Sequence, residues 1–175
     1  MFEKFIGIDP GQDGGIACLI TGRAVATKMP ATERDIHDYF WQVCCPGSYT
    51  IVAIEQVHSF PGTGPKCPLC KKPRHQQGVA SSFKFGQGYG FLRGVLVGRV
   101  RYEDVTPQRW QKEFGLIVPA KRGLTPTQKK NLHKQKAQQL FPQLTITHAI
   151  ADALLIAEAA RRWWGNQAAE AVGSE

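Results

Sequence analysis

Apolar and polar residues alternate along the chain in a way that predicts five β-strands. Three short apolar runs separated by turn residues predict strands at Lys4–Pro10, Gly14–Thr21 and Ala24–Met29. Their close spacing favours an antiparallel meander. A further apolar run predicts a strand at Thr50–Val57, and another strand is predicted at Arg101–Val105. The fold class is therefore α/β, with a mixed five-stranded sheet.

Helical periodicity appears between and after these strands, with apolar residues recurring every three to four positions. We predict helices at Glu33–Val43, 80–100, Pro107–Phe114, Thr127–Phe141 and Thr147–Trp163. Because the sequence shows no internal repeat and no second domain, residues 1–165 are expected to form one domain. In this domain the helices flank the sheet. The polar segment at about 58–79 is expected to be an insertion, and 166–175 a short disordered tail.

Four glycines in the predicted helix 80–100 recur every four residues and so share one face: Gly86, Gly90, Gly94 and Gly98. Each glycine costs about 1 kcal/mol relative to alanine in a helix. The repeat therefore predicts close packing against that face, either by the core sheet or by a second subunit.

Composition narrows the class of partner. The chain has 175 residues with 22 Lys and Arg against 14 Asp and Glu, a net charge of +8. A positive excess favours a polyanion, and nucleic acid is the first candidate. No apolar run reaches the length of a membrane span. The five cysteines are odd in number and no export signal is recognisable, so a reducing, cytoplasmic setting is expected.

Three acidic residues stand in apolar surroundings. Asp9 and Glu55 each close an apolar strand, where capping a turn or reaching water is the simpler explanation. Asp152 lies in an apolar helical stretch, and His148, four residues earlier, is on the same face. Converging carboxylates repel one another, and Mg²⁺ relieves that repulsion. Two such ions activate water and stabilise the leaving oxygen of a phosphodiester.

Several motifs in this order resemble the RuvC-type Holliday-junction resolvases, over about residues 4–162. The three motifs around the acidic residues are Ile6–Gly11, Ala53–Val57 and Ala151–Ala157. Other motifs look closest to the phage and chloroplast branch: Phe60–Gly62, Ser82–Gly90, Val105–Pro107 with Trp110, and Ala137 with Leu140–Pro142.

The resemblance implies an RNase H-like fold and a homodimer. It further implies Mg²⁺- or Mn²⁺-dependent endonuclease activity that resolves four-way DNA junctions by two symmetric nicks, in recombination, repair or phage genome processing. The catalytic metal site, with two ions, would comprise Asp9, Glu55, His148 and Asp152. At position 148 many relatives have Asp. His58 stands roughly where bacterial relatives carry an aromatic residue that opens the junction, and Phe60 follows two residues later.

The insertion contains a Cys-x-x-Cys pair, Cys67 and Cys70. With His58 upstream and His75 downstream it would supply four tetrahedral ligands for a structural Zn²⁺. The two copies of a dimer could also share ligands. The alternative is a flexible basic loop with two free thiols.

Basic residues concentrate between 109 and 136, where eight of them stand against Glu113 alone. Such a run favours contacts with phosphate groups, because an ordinary solvent-exposed helix face usually carries both positive and negative charges. The predicted DNA-binding residues are Phe60, Lys84, Arg109, Lys112, Lys121, Arg122, Lys129, Lys130, Lys134 and Lys136.

Three other functions fit parts of the pattern. An RNase H-type nuclease acting on RNA–DNA hybrids would share the fold and the metal chemistry. A non-catalytic, zinc-containing nucleic-acid-binding module would use the basic residues alone. An actin-like ATPase has a similar phosphate loop to the segment Gly7–Gly11, but the chain is too short for its second lobe.

Overall fold

The computed structural model describes residues 4–43, 49–57, 68–70, 78–119 and 123–165. The strands are β1 (Lys4–Asp9), β2 (Gly15–Ile20), β3 (Arg23–Lys28), β4 (Thr50–Glu55) and β5 (Arg101–Val105). The helices are α1 (Glu33–Val43), α2 (Val79–Leu96), α3 (Pro107–Glu113), α4 (Pro126–Leu140) and α5 (His148–Trp164).

The five strands form one mixed sheet in the order β3-β2-β1-β4-β5. β2 is antiparallel to both β1 and β3, which confirms the predicted meander. β4 runs parallel to β1, and β5 runs parallel to β4. The α/β class and the five-stranded mixed sheet are therefore confirmed, and β1 occupies the centre of the sheet.

Helices cover both faces of the sheet, and side chains alternate between two cores along each strand. Ile6 and Ile8 of β1 lie in the core beneath α1 and α2, together with Leu92 and Leu96 of α2. Phe5 of β1 lies in the opposite core, which α3, α4 and α5 cover. Burial on both faces explains why the central strands are apolar throughout.

Helix α5 approaches β1 so closely that only glycine fits at position 7. A Cβ on Gly7 would collide with the backbone of Ala153 and Ala157 in α5. Gly15 at the start of β2 is similarly close to α5, since a Cβ there would lie 2.6 Å from the carbonyl oxygen of Ala149. These two glycines therefore determine how deeply α5 docks on the sheet.

The glycine repeat of α2 does not face the sheet, so the expected sheet contact is wrong. Within the described residues, a Cβ on Gly86, Gly90 or Gly94 would meet nothing within 4 Å. The apolar side of α2, with Leu92 and Leu96, packs on the sheet instead. Gly98 lies beyond the helix, which ends at Leu96 and not at residue 100, and adopts a φ of 75°. That left-handed conformation suits a glycine just past a helix end.

No helix in the described part of the chain has the length and apolar character needed to cross a membrane. The predicted tail at 166–175 and most of the predicted insertion lie outside the described residues.

Candidate active site

The topology brings two of the predicted carboxylates to one edge of the sheet. Asp9 is the last residue of β1 and Glu55 the last of β4. The strands are parallel neighbours, and Ile8 pairs with Ile54 immediately before the two acids. Alternation along each strand directs Asp9 and Glu55 to the face that α5 covers. The carboxyl ends of two central strands therefore present both acids to the same helix.

Asp152 approaches this edge from α5, where it immediately precedes Ala153, whose backbone packs against Gly7. Its negative charge acts on both strand carboxylates, because it raises the pKa of Asp9 and that of Glu55. The three acidic residues are far apart in the sequence, and the sheet and α5 bring them into electrostatic contact.

Burial gives Asp9 an unusual pKa. Loss of hydration, followed by repulsion from Asp152, raises the pKa of Asp9 from 3.8 to about 7. Lys130 and His133 of α4 act in the opposite direction through their positive charge. Gly14 preserves the space around this carboxylate, since a Cβ there would come within 2.9 Å of the Asp9 Cγ.

Glu55 behaves in the same way. Burial, and then repulsion from Asp9, raises the pKa of Glu55 from 4.5 to about 7, and Asp152 adds to the effect. The indole of Trp110 opposes this shift, because its Nε1–H donates a hydrogen bond of 2.7 Å to the Glu55 Oε2. The site therefore holds two carboxyl groups whose ionised forms are disfavoured.

His148 and Asp152 share α5 but have different partners. The Nε2 of His148 lies 2.8 Å from the Oδ1 of Asn131 on α4, and the ring is exposed. Asp152 instead contacts His133, whose Nδ1 lies 2.8 Å from the Asp152 Oδ1. The partner of His148 is therefore Asn131 and not a site carboxylate, and its metal-binding role stays a prediction.

His133 is a site residue that no sequence motif indicates. It lies on α4 in a Lys-rich segment, where nothing in the local pattern separates it from a solvated residue. Its side chain is only 12% exposed, and its ring meets the ring of Trp110 edge-on with centroids 5.1 Å apart.

The donor set at this edge suits a hard divalent cation, since Mg²⁺ prefers carboxylate oxygens. Within the described ranges, no three His, Cys, Asp or Glu side chains converge tightly enough to form a metal-binding group by themselves. That spacing is compatible with Mg²⁺, which keeps several waters and takes further oxygens from substrate phosphates. The residues that would hold it are Asp9, Glu55 and Asp152.

The predicted zinc ligands His58, Cys67 and His75 lie outside the described residues, as does Phe60. Cys70 is described and is an exposed free cysteine. The zinc site and the junction-opening aromatic residue therefore stay predictions.

Six of the predicted DNA-binding residues lie on α3 and α4. Arg109 and Lys112 are exposed on α3, and the rest are on α4: Lys129, Lys130, Lys134 and Lys136. Lys130 is close enough to Asp9 to lower its pKa. The guanidinium of Arg109 stacks on Trp163, 4.2 Å from the ring centroid. Lys84 is exposed on α2, whereas Lys121 and Arg122 lie outside the described residues.

No protein-family model and no curated protein matches this chain.

Proposed function

We propose that this protein is a metal-dependent endonuclease with an RNase H-like fold that resolves four-way DNA junctions. The observation that carries the proposal is the electrostatic coupling of Asp9, Glu55 and Asp152 at the carboxyl ends of two parallel strands. The sheet order, with an antiparallel meander followed by two parallel strands, is compatible with this fold. The resolvase motifs include all three acidic residues.

The carboxylates have a defined task in this proposal. Asp9, Glu55 and Asp152 would hold Mg²⁺, which supplies an activated water and charge stabilisation for phosphodiester hydrolysis. Because burial disfavours the ionised forms of Asp9 and Glu55, a bound cation would be favoured over unneutralised charges. In this proposal His148, which is exposed and hydrogen-bonded to Asn131, would assist as a metal ligand or proton carrier.

Helices α3 and α4 would contribute the DNA surface. Four of their Lys and Arg side chains are exposed, and Lys130 is close enough to Asp9 to lower its pKa, so a phosphodiester backbone bound there would pass near the carboxylates. Contacts of this kind provide affinity and register with little sequence information. Selectivity for a junction then has to come from the shape of the substrate.

Two symmetric nicks require two active sites, and a homodimer supplies them. The open glycine face of α2 is the candidate contact, because nothing in the described part of the chain covers Gly86, Gly90 or Gly94. Phe83, near the start of the same helix, is 74% exposed. An apolar, glycine-lined helix face permits close approach of a second helix.

The decisive experiment compares a four-way junction, a linear duplex and an RNA–DNA hybrid, each incubated with Mg²⁺. We expect paired nicks in opposite strands of the junction, and loss of cleavage in Asp9→Asn. Asp13→Asn is the matched control, since the carboxylate of Asp13 is 91% exposed and is outside the site.

Each alternative gives a different result in this assay. Preferential cutting of the hybrid would favour an RNase H-type nuclease. Junction binding without cleavage in either Mg²⁺ or Mn²⁺ would favour a non-catalytic module. Metal analysis of the purified protein tests the structural zinc separately, and the absence of zinc would remove that prediction.

A further inference from the structure

Trp110 links α3 to the acidic edge. Its side chain is 1% exposed, so the position of the indole is fixed by the core around it. The indole Nε1–H can donate a single hydrogen bond, and it donates that bond to the Glu55 Oε2 at 2.7 Å. Thr106 caps α3 by accepting from the backbone N–H of Arg109, which anchors the helix that carries this donor.

His133 makes the equivalent contact from α4. Its Nδ1 lies 2.8 Å from the Asp152 Oδ1, and the side chains of the two residues are 12% and 24% exposed. A capping box between Thr125 and Gln128 stabilises the start of α4. A second anchored helix therefore holds a second carboxylate of the site.

The two rings also contact each other. Trp110 and His133 meet edge to face, with an interplanar angle of 75° and centroids 5.1 Å apart. Their contacts form a continuous chain of Glu55, Trp110, His133 and Asp152. The ring contact therefore joins the hydrogen bond on Glu55 to the contact on Asp152.

This chain of contacts leaves part of the site free. Within the described residues, the hydrogen bonds reach one oxygen of Glu55 and one of Asp152, and none reaches the carboxylate of Asp9. The remaining oxygens stay available to a cation. Because like charges would otherwise push the carboxylates apart, a fixed donor on each has a positioning effect.

We propose that Trp110 and His133 act together as positioning residues that hold Glu55 and Asp152 for metal binding. This inference rests on the proposed nuclease function. Neither residue needs to touch the DNA or the metal. We call the pair the Trp110–His133 clamp.

Trp110→Phe is the main test, since it keeps an aromatic ring in the core and removes the N–H donor. Trp163→Phe is the matched control, because the Trp163 Nε1–H donates a bond of 3.0 Å to Glu113, which is not one of the site carboxylates. His133→Leu removes the second donor. His133→Asn restores it, since the amide nitrogen of asparagine can take the place of Nδ1.

Metal binding is measured without DNA, by titrating each variant with Mn²⁺ in a calorimeter. We expect Trp110→Phe and His133→Leu to weaken Mn²⁺ binding by about 10- to 100-fold, as for other residues that orient metal ligands. Trp163→Phe should bind as the wild type does, and His133→Asn should recover most of the affinity. In junction cleavage, the clamp variants should keep the KM for DNA, and excess Mn²⁺ should restore their kcat.

The outcomes separate the clamp from the proposed function. If Trp110→Phe and Trp163→Phe both bind Mn²⁺ with the affinity of the wild type, the clamp is overturned and the nuclease proposal is not affected. A wild-type protein that neither binds Mn²⁺ nor cuts DNA would overturn the nuclease proposal and the clamp with it. Circular dichroism verifies folding, and if Trp110→Phe does not fold, the comparison of His133→Leu with His133→Asn decides.

Discussion

Replacing Asp9 with asparagine should stabilise the metal-free protein at neutral and alkaline pH. The pKa of Asp9 is about 7 in the folded protein, against an ordinary value of 3.8. The folded state therefore binds the proton more tightly than the unfolded state does. Stability is highest when Asp9 is protonated, and it falls as the pH rises from about 4 to about 7.

The size of this effect follows from the two pKa values. At about 1.4 kcal/mol per pH unit, moving the pKa from 3.8 to about 7 costs about 4 kcal/mol once Asp9 is fully ionised. Asp9→Asn removes that cost. Between about pH 5 and pH 8, the stability advantage of the variant should grow by about 2–3 kcal/mol.

The assay is urea unfolding of the wild type and Asp9→Asn, with a chelator present, at several pH values in this range. Asp13→Asn is the control, and its exposed carboxylate should give no comparable trend. Adding Mg²⁺ at ten times its dissociation constant should stabilise the wild type by about 1.4 kcal/mol and leave Asp9→Asn unchanged.

A stability difference that does not vary with pH would refute the argument from burial and repulsion. So would an Asp9→Asn protein that is less stable than the wild type throughout the range. The double variant Asp9→Asn/Glu55→Gln gives a further check. Because the charge of Asp9 raises the pKa of Glu55, the double variant should gain less stability than the sum of the single changes.

Two further predictions concern packing and DNA binding. Gly7→Ala should lower the free energy of unfolding by about 3 kcal/mol or more, since the new methyl group meets the backbone of α5. Gly90→Ala should raise the free energy of unfolding of the monomer by about 1 kcal/mol, because the space around Gly90 is open and alanine is the better helix former. Denaturant unfolding measures the free energy of unfolding of both variants. Equal changes in the two variants would contradict the claim that Gly7 is tightly packed and Gly90 is open. Lys129→Ala and Lys134→Ala should each reduce the slope of log affinity against log salt by about 1, measured by fluorescence anisotropy with labelled DNA, while Lys28→Ala on β3 should not.

The sheet was predictable because its strands differ sharply from their surroundings. Apolar runs bounded by Gly, Pro and polar residues give β1 to β4 nearly to the residue. Asp9 and Glu55 were predictable as well, since an acid that ends a buried strand is conspicuous in the sequence. Local patterns of this kind need no knowledge of how the elements pack.

The contacts between helices were not predictable in the same way. Helical spacing puts His148 and Asp152 on one face, but it does not say which side chains of α4 they meet. Asn131 and His133 take those places, and neither stands out in a polar segment. The glycine repeat of α2 likewise predicted close packing, whereas the rotation of the helix turns Leu92 and Leu96 to the sheet.

The position of α5 over Gly7 determines when the acidic site can form during synthesis and folding. Asp152 follows Asp9 by 143 positions in the chain, so all of the intervening residues must be synthesised before the two acids can meet. A nascent chain with β1 to β5 complete would have the sheet but only two of the three carboxylates. The three acids therefore come together only after α5 has docked on β1, so the acidic site forms late in folding.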